Sequence, residues 1–378
     1  MEFTHLHVHT EYSLLDGSNK INEYVARVKE LGMDSAAITD HGVMFGCIDF
    51  YRAAKAAGIK PILGCEVYVA PGSRFDKEIG REEDRYYHLV LLAENQEGYQ
   101  NLMKIVSTGF VDGFYYKPRV DLEILEKYHE GIIALSACLA GEVARDITKG
   151  FYEESKKAAL RYEEIFGKGN FFLELQDHGI PEQHRVNQQL VRMSRETGIE
   201  LVATNDIHYT YSTDAEAHDI LLCVQTGKRL QDEDRMRYEG GQYYVKSVEE
   251  MAALFPYAPE ALENTHKIAK RCNVEIEFGV TKLPKFDVPE GYTAWEYLNK
   301  LCFDGLAERN SGNMEELEER LNYELNVIKN MGYVDYFLIV WDFIRYARDH
   351  DIIVGPGRGS AAGSLVSYTL GITKLDPI

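Results

Sequence analysis

Histidines and acidic residues recur in this 378-residue sequence next to short apolar runs. His5, His7 and His9 alternate along the first run, and a β-strand would send all three side chains to one face because its side-chain period is two. The remaining members of the set lie within or just after later apolar runs: His41, Glu66, His88, Cys138, Asp206 and His208. Imidazoles, carboxylates and a thiol are groups that bind transition metals. The pattern therefore predicts a metal site.

Each residue of this set also has an ordinary structural interpretation. Asp206 could cap a helix, His88 could be a hydrogen-bonded core histidine, and Cys138 could be a small buried apolar side chain. It is simpler to explain all of these residues by one shared metal site than by a separate structural role for each of them at a strand end. More ligands are present than one tetrahedral ion uses, which favours a cluster of two or three ions. The mixed ligand set suits Zn, Fe or Mn better than Mg or Ca.

Such a cluster indicates a reaction class. Closely spaced divalent metals lower the pKa of a bridging water and clamp the oxygens of a phosphate group. We therefore expect phosphoester hydrolysis, with no Ser/His/Asp nucleophile required.

The elements that must position these side chains are seven apolar or β-branched runs separated by helix-periodic segments. The candidate strands are Phe3–His9, Ser35–Thr39, Ile62–Val69, Tyr87–Ala93, Ile132–Ala137, Phe171–Leu175 and Leu201–Asn205. Alternation of strand and helix predicts an α/β fold with parallel strands, and seven such units predict a barrel. In a parallel barrel the strand C-terminal ends meet, so distant residues converge.

Composition sets the outer limits. The net charge is -20 with a pI near 5.1, so a surface that grips DNA through clustered Lys and Arg is not expected over most of the chain, unless bound metals locally reverse the sign. Six cysteines without a CxxC pair favour a reducing compartment. No signal-like start or long apolar run is present, which predicts a cytoplasmic protein without membrane segments.

The length favours two structural units. A charged stretch from Pro71 to Arg85 predicts a surface excursion within the first unit. After about Val280 a proline-containing stretch leads into a helix-rich segment from Glu315 to Asp349. We place the boundary there, giving domains at 1–280 and 281–378.

The order of these motifs resembles the polymerase and histidinol phosphatase (PHP) domain. The resemblance implies a distorted barrel of seven β/α units holding up to three metals. Mapped onto this sequence, the family's ligands are His7, His9, Asp16, His41, Glu66, His88, Cys138, Asp206 and His208. Asp16 enters only through the resemblance, because Leu14–Gly17 alone also predicts a simple turn. For His5 and Asp40 we expect roles in orienting the ligands.

A glycine-rich segment, VGPGRGSAAGS, lies at 354–364. Glycine permits close approach of backbone to phosphate, and amides at a following helix start could bind it. The alternative is a turn used only for tight packing. Together with residues 336–342, this segment is similar to the start of the palm of C-family bacterial replicative polymerases. The resemblance implies a nucleotide-phosphate site at Arg358, Ser360, Gly363 and Ser364.

The two resemblances together imply the N-terminal part of a replicative DNA-directed DNA polymerase. We expect a PHP centre with Zn, Mn or Fe that hydrolyses DNA 3′ ends, and Mg for the parent polymerase. The family's catalytic carboxylates are not among these 378 residues, so we expect a truncated palm and no polymerisation by this piece. Expected partners are primer-template DNA, dNTP, a sliding clamp and a separate proofreading exonuclease. A standalone phosphatase for small esters and a purely structural scaffold remain as alternatives.

Overall fold

The structure is a computed structural model that describes residues 2–78, 85–280, 282–309 and 312–378. It divides into two compact units, Met1–Ile276 and Glu277–Ile378. The division falls slightly before the boundary that we placed at residue 280. The first unit is an α/β domain and the second is helical, so the predicted fold class is confirmed.

The first unit contains a curled mixed sheet of eight strands. They are β1 Ser35–Ile38, β2 Lys60–Val69, β3 Tyr87–Ala93, β4 Phe114–Tyr115, β5 Lys117–Val120, β6 Ile132–Leu135, β7 Phe171–Gln176 and β8 Leu201–Thr204. Their order is β4-β5-β2-β3-β6-β7-β8, with β1 paired to β2. The pairs β1/β2, β2/β5, β6/β7 and β7/β8 are parallel.

The prediction of uniformly parallel strands is wrong for β3, which runs antiparallel to both β2 and β6. A parallel return needs a crossover connection, usually a helix. The described part of the link between β2 and β3 contains no helix, so β3 can turn back beside β2. Helices do connect β1 to β2, β6 to β7 and β7 to β8, where the predicted direction holds.

The predicted first strand, Phe3–His9, is not a regular strand but occupies a strand's place. The amide of Thr39 donates to the carbonyl of Val8 at 2.9 Å on one side. On the other side the amide of His9 donates to Ile207 O at 2.7 Å, and the amide of Ile207 donates to His7 O at 3.1 Å. These bonds link β1 to the segment after β8. The N-terminal segment therefore bridges the two ends of the curled sheet.

Helices of the first unit pack on the sheet, and their bounds are α1 Ile21–Glu30, α2 Cys47–Ala57, α3 Gln96–Val111, α4 Leu122–Lys127, α5 Glu142–Thr148, α6 Tyr152–Phe166, α7 Pro181–Thr197, α8 Ala215–Thr226, α9 Val248–Leu254 and α10 Pro259–Arg271. Local sequence sets several of their starts. The side chain of Asn95 accepts the amide of Gly98 at the start of α3, and Asp121 accepts that of Ile124 at the start of α4.

Two separate apolar clusters lie on the two faces of the sheet. On β3, Leu89 and Leu91 belong to the larger cluster, while Val90 and Leu92 belong to a smaller one that also contains Ile268 of α10. This alternation is the two-residue period of a strand. The smaller cluster fills one end of the face that, further along, carries the polar residues described below.

The second unit consists of α11 Ala294–Arg309, α12 Met314–Asn330, α13 Val334–Asp349 and α14 Leu365–Thr369, with a 3₁₀ turn at Gly359–Gly363. Its core is a leucine-rich cluster to which α11, α12, α13 and α14 all contribute. No helix of the described chain is long and apolar enough to cross a membrane.

Candidate metal centre

The strand period places two of the predicted ligands. Along β2, Ile62, Gly64 and Glu66 share one face, and Ile62 belongs to the smaller apolar cluster. Glu66 is paired with Val90 on β3, so His88, two residues from Val90, lies on the same face. The face is therefore apolar at one end and carries a carboxylate and an imidazole towards the other.

Two loops bring further ligands to this end. After β1, the bridge between His41 and Glu66 aligns the TDHG loop with β2, and the amide of Gly42 donates to Glu66 O at 2.8 Å. Gly42 has φ 63°, and a Cβ there would lie 2.8 Å from the ring of Tyr68. After β8, Asp206 adopts φ 44°, a conformation that Asp and Asn tolerate better than most residues.

A first group of side chains meets around the N-terminal histidines. His7 Nε2 lies 3.2 Å from Asp206 Oδ1 and 3.3 Å from Glu66 Oε1. His9 Nε2 lies 3.1 Å from the same Asp206 oxygen and 3.5 Å from Glu66 Oε2. The two Nε2 atoms are 3.1 Å apart. All four side chains are buried.

A second group shares Glu66 and adds the LLDG loop. His41 Nδ1 lies 2.7 Å from Glu66 Oε2, and His41 Nε2 lies 2.8 Å from Asp16 Oδ2. His208 Nε2 lies 3.9 Å from the same Asp16 oxygen. The ring of His9 stacks on that of His41, with centroids 3.9 Å apart.

The third group completes the predicted set. His88 Nδ1 lies 3.0 Å from Glu66 Oε1 and 3.8 Å from Cys138 Sγ. Glu66 thus contacts members of all three groups. The structure brings the nine residues that the resemblance implied into one continuous cluster.

Three histidines have a hydrogen-bond partner on the ring nitrogen that points away from the centre of the cluster, either a side chain outside the nine residues or a backbone carbonyl. Nδ1 of His7 donates to Glu174 Oε1 at 2.7 Å. Nδ1 of His208 donates to the carbonyl of Asp206 at 2.8 Å, and Nδ1 of His9 lies 3.2 Å from Ser13 Oγ. A partner on one nitrogen leaves Nε2 directed into the cluster, as in metal sites whose imidazoles are oriented by outer residues.

Glu174 was missed by the sequence interpretation. It is a buried carboxylate within β7, and it also accepts hydrogen bonds from Gln176 Nε2 at 3.1 Å and from Thr204 Oγ1. A glutamate inside the apolar run FFLEL is itself a signal, because buried carboxylates need partners. Tyr238 was also missed, and its hydroxyl lies 3.2 Å from His208 Nε2.

The two predicted orienting residues differ in outcome. Buried Asp40 accepts hydrogen bonds from Thr10 N at 2.6 Å and from Ser13 Oγ at 2.7 Å, and Ser13 contacts His9. His5 Nε2 instead lies 2.9 Å from Lys246 O. A role for His5 in orienting a ligand stays a prediction.

Charge coupling inside the cluster is strong. Burial lowers the pKa of His41, but the Glu66 and Asp16 carboxylates outweigh burial and raise it to about 10. Burial also lowers the pKa of His7, but the carboxylates of Asp206, Glu174 and Glu66 outweigh burial and raise this pKa well above its ordinary value. Burial, followed by the positive charges of His41 and His208, lowers the pKa of His9 to about 3. The carboxylates are thus balanced by cations.

The residues present fit divalent ions. Three sets offer ligand atoms that all lie within 4.8 Å of one another, namely His7/His9/Glu66, His9/His41/His208 and His41/Glu66/His88. Asp16 Oδ1 is buried and has no hydrogen-bond partner among the described residues. His41 Nδ1, Glu66 Oε2 and Asp206 Oδ1 are also buried, and each contacts another side chain of the cluster. Such buried atoms are costly unless another group satisfies them.

The glycine-rich segment of the second unit has a different character. Arg358, just before the 3₁₀ turn, and Ser360, within it, are both exposed. The hydroxyl of Ser364 donates to Glu324 Oε2 at 2.8 Å, and the amides of Leu365 and Val366 donate to the same carboxylate at 3.2 Å. A protein carboxylate therefore occupies the amides at the start of α14.

Comparison with known proteins agrees with both parts. Residues 5–178 match the PHP domain, and residues 296–378 match the bacterial DNA polymerase III alpha NTPase domain. The DNA polymerase III subunit alpha of Treponema pallidum is 48% identical over 382 residues, which is 100% of this chain and 32% of that protein. The chain belongs to the family of bacterial DNA polymerase III alpha subunits. The subunit of Borreliella burgdorferi is also 48% identical, over 100% of the chain and 33% of its own length.

The chain spans about a third of the polymerase III alpha subunits that it matches. Among solved structures, a two-domain protein from Bacteroides vulgatus containing a predicted PHP-like metal-dependent phosphoesterase is similar over 70% of this chain and 63% of its own, at 14% identity and a TM-score of 0.34.

Proposed function

We propose that this part of a polymerase III alpha subunit carries a metal-dependent phosphoesterase centre that hydrolyses the 3′ ends of single-stranded DNA. The observation that carries the proposal is the single cluster formed by nine histidine, carboxylate and cysteine side chains around Glu66. Two or three ions of the Zn, Mn or Fe type would be held by His7, His9, Asp16, His41, Glu66, His88, Cys138, Asp206 and His208.

Bound divalent ions would supply an activated water near neutral pH and charge stabilisation for the phosphate oxygens. The residues around the cluster hold the metal-binding side chains in position. Glu174 and Ser13 fix the rings of His7 and His9, and the carbonyl of Asp206 fixes His208. Burial of these groups excludes bulk water, which strengthens electrostatic interactions inside the site.

The family supports DNA as the substrate. We propose that the parent enzyme extends a primer on a DNA template, using dNTP and Mg, in the cytoplasm, and the polymerase III alpha relatives support this proposal. We propose a sliding clamp and a separate proofreading exonuclease as its partners. A phosphoesterase centre in such a subunit has access to growing 3′ ends, so removal of misincorporated nucleotides is the role we propose.

In the second unit we propose that Arg358, Ser360, Gly363 and Ser364 contribute to the nucleotide-phosphate site of the parent polymerase. The exposed guanidinium of Arg358 supports this role. Because Glu324 holds the amides that follow Ser364, phosphate binding there would require Glu324 to move.

Hydrolysis of a 3′-labelled single strand by the purified chain tests the proposal, with Mn²⁺ or Zn²⁺ added after chelation. We expect slow shortening from the 3′ end and loss of this activity in His9→Ala and Asp206→Asn. Small phosphate monoesters are assayed in parallel. Preference for those esters would favour the standalone phosphatase, and metal binding without any hydrolysis would favour the scaffold.

A further inference from the structure

Aromatic and cationic side chains extend outward from the His88 side of the metal centre. The ring of Tyr86 is nearly parallel to that of His88, with an interplanar angle of 18° and centroids 6.0 Å apart. Tyr68 contacts both rings and the cluster, with its ring centroid 4.8 Å from that of Tyr86, 5.3 Å from that of His88 and 6.2 Å from that of His41. Tyr68 is buried, and the more exposed rings of Tyr86 and His88 pack against it.

The hairpin of β4 and β5 adds the next members. Tyr116 is the residue between the two strands, and its side chain is 63% exposed. The guanidinium of Arg85 lies 4.0 Å from the Tyr116 ring centroid. Lys117 Nζ lies 5.5 Å from the ring centroid of Tyr68. Because one face of Tyr116 is covered by Arg85 and the side chain is still exposed, its ring remains open to a further stacking partner.

A buried guanidinium holds this surface in place. Arg119 is fully buried, and its guanidinium donates to the backbone carbonyls of Gly113, Arg74, Asp76 and Arg85. These bonds fix Arg85 against the hairpin. The Nε atom of Arg85 is itself buried and has no hydrogen-bond partner among the described residues. The main-chain position of Arg85 is therefore fixed by contacts within the chain.

We propose that Tyr86, Arg85, Tyr116 and Lys117 form a track that binds single-stranded DNA and leads its phosphodiester backbone to the metal centre. Aromatic rings interleaved with cations are the combination that binds unpaired strands, because bases stack on the rings and phosphates meet the cations. A duplex has no free base faces for such stacking. Because the chain carries a net charge of -20, it needs a local group of cationic side chains such as this one to bind a polyanion.

The claim that the bound strand leads to the metal centre rests on the proposed function. The claim that the track binds single-stranded DNA does not. Binding is therefore measured without turnover. The probe is a fluorescein-labelled oligothymidylate of about ten nucleotides, within the range that such sites cover, and anisotropy is followed in EDTA across a series of salt concentrations.

The track predicts two separable effects. Tyr116→Ala should weaken oligothymidylate binding by roughly 5- to 150-fold, since stacking on one ring contributes about 1–3 kcal/mol per base. Arg85→Gln and Lys117→Gln should each reduce the slope of log affinity against log salt by about 0.7, the value for one phosphate contact on a single strand. A duplex of the same length should compete poorly.

Matched controls come from the exposed surface at α6 of the first unit. Phe151 is 53% exposed at the start of α6, and Lys157 is exposed on the same helix. Phe151→Ala and Lys157→Gln should bind the oligonucleotide as the unmodified chain does. Equal losses in these controls, no effect of Tyr116→Ala, or no binding by the unmodified chain would each overturn the track. Failure of 3′-end hydrolysis with these binding effects intact would instead remove the proposed function and leave the track standing.

Discussion

The carboxylate of Glu174 accepts a hydrogen bond from Nδ1 of His7 at 2.7 Å, while Nε2 of the same ring lies 3.2 Å from Asp206. Glu174 therefore fixes which nitrogen of His7 faces the cluster. Glu174→Gln should lower metal affinity by about 10- to 100-fold, the usual effect of losing an outer partner of a metal-binding histidine. Titration of the chelated chain with Mn²⁺ or Zn²⁺ measures this change.

Glu164, exposed on α6, gives the control. Glu164→Gln should bind metal as the unmodified chain does. Unchanged affinity in Glu174→Gln would mean that His7 needs no outer partner, and the account of ring orientation would fail.

Metal should stabilise the fold through the cluster. An ion at about 100 times its dissociation constant stabilises by about 2.7 kcal/mol if it binds only the folded chain. We expect the melting temperature of the unmodified chain to rise by several degrees when Mn²⁺ or Zn²⁺ is added. Asp206→Asn should lose most of this rise, whereas Asp234→Asn at an exposed site should keep it. Equal rises in all three proteins would place the stabilising ion elsewhere.

Lys246 should give the folded chain a specific response to alkaline pH. Its ammonium donates to Asn205 Oδ1 at 3.2 Å and to the carbonyl of Gln242, next to the loop that carries Asp206. Burial lowers the pKa of Lys246 to about 8. The unfolded chain therefore binds more protons between pH 8 and about 10.4, and stability should rise with pH in that window.

The comparison that isolates Lys246 is its replacement by Met. The stability of the unmodified chain relative to Lys246→Met should increase by at most about 1.4 kcal/mol per pH unit between pH 8 and 10. Urea unfolding in EDTA at several pH values measures the difference. Lys157→Met, at an exposed site, should give a difference that does not change with pH. A flat difference for Lys246→Met would show that burial does not perturb this ammonium.

In the second unit, Glu324 should matter more for folding than its helical position suggests. Its carboxylate accepts hydrogen bonds from Ser364 Oγ, from two amides of α14 and from Arg320 Nε. Glu324→Ala leaves these donors unpaired and should cost about 1–3 kcal/mol of unfolding free energy. Glu318→Ala, exposed on the same helix, should cost far less. Denaturant unfolding compares the two, and equal costs would contradict the capping role.

Much of the candidate centre could be predicted because barrel geometry gathers strand ends. His41, Glu66 and Asp206 lie far apart in the sequence, yet each lies within or just after an apolar run, and the topology brings these segments together. Asp16 lies in a turn that carries no strand signal, and only the family resemblance indicated it.

Other features depended on tertiary structure. The direction of β3 was mispredicted because strand periodicity carries no information on chain direction. The segment Phe3–His9 is not a regular strand, although its hydrogen bonds join it to β1 and to the residues after β8. The capping of α14 by Glu324 joins residues about 40 positions apart, which local sequence patterns do not report.

Anomalous scattering from a crystal grown or soaked with Mn²⁺ or Zn²⁺ tests the metal centre most directly. We expect two or three peaks inside the cluster, with Zn-like sites about 2.0–2.3 Å from nitrogen, oxygen and sulfur ligands. The peaks should be shared among His7, His9, Glu66 and Asp206, and among Asp16, His41, His88, Cys138 and His208. A well-ordered crystal with excess metal and no peak within this cluster would contradict the account.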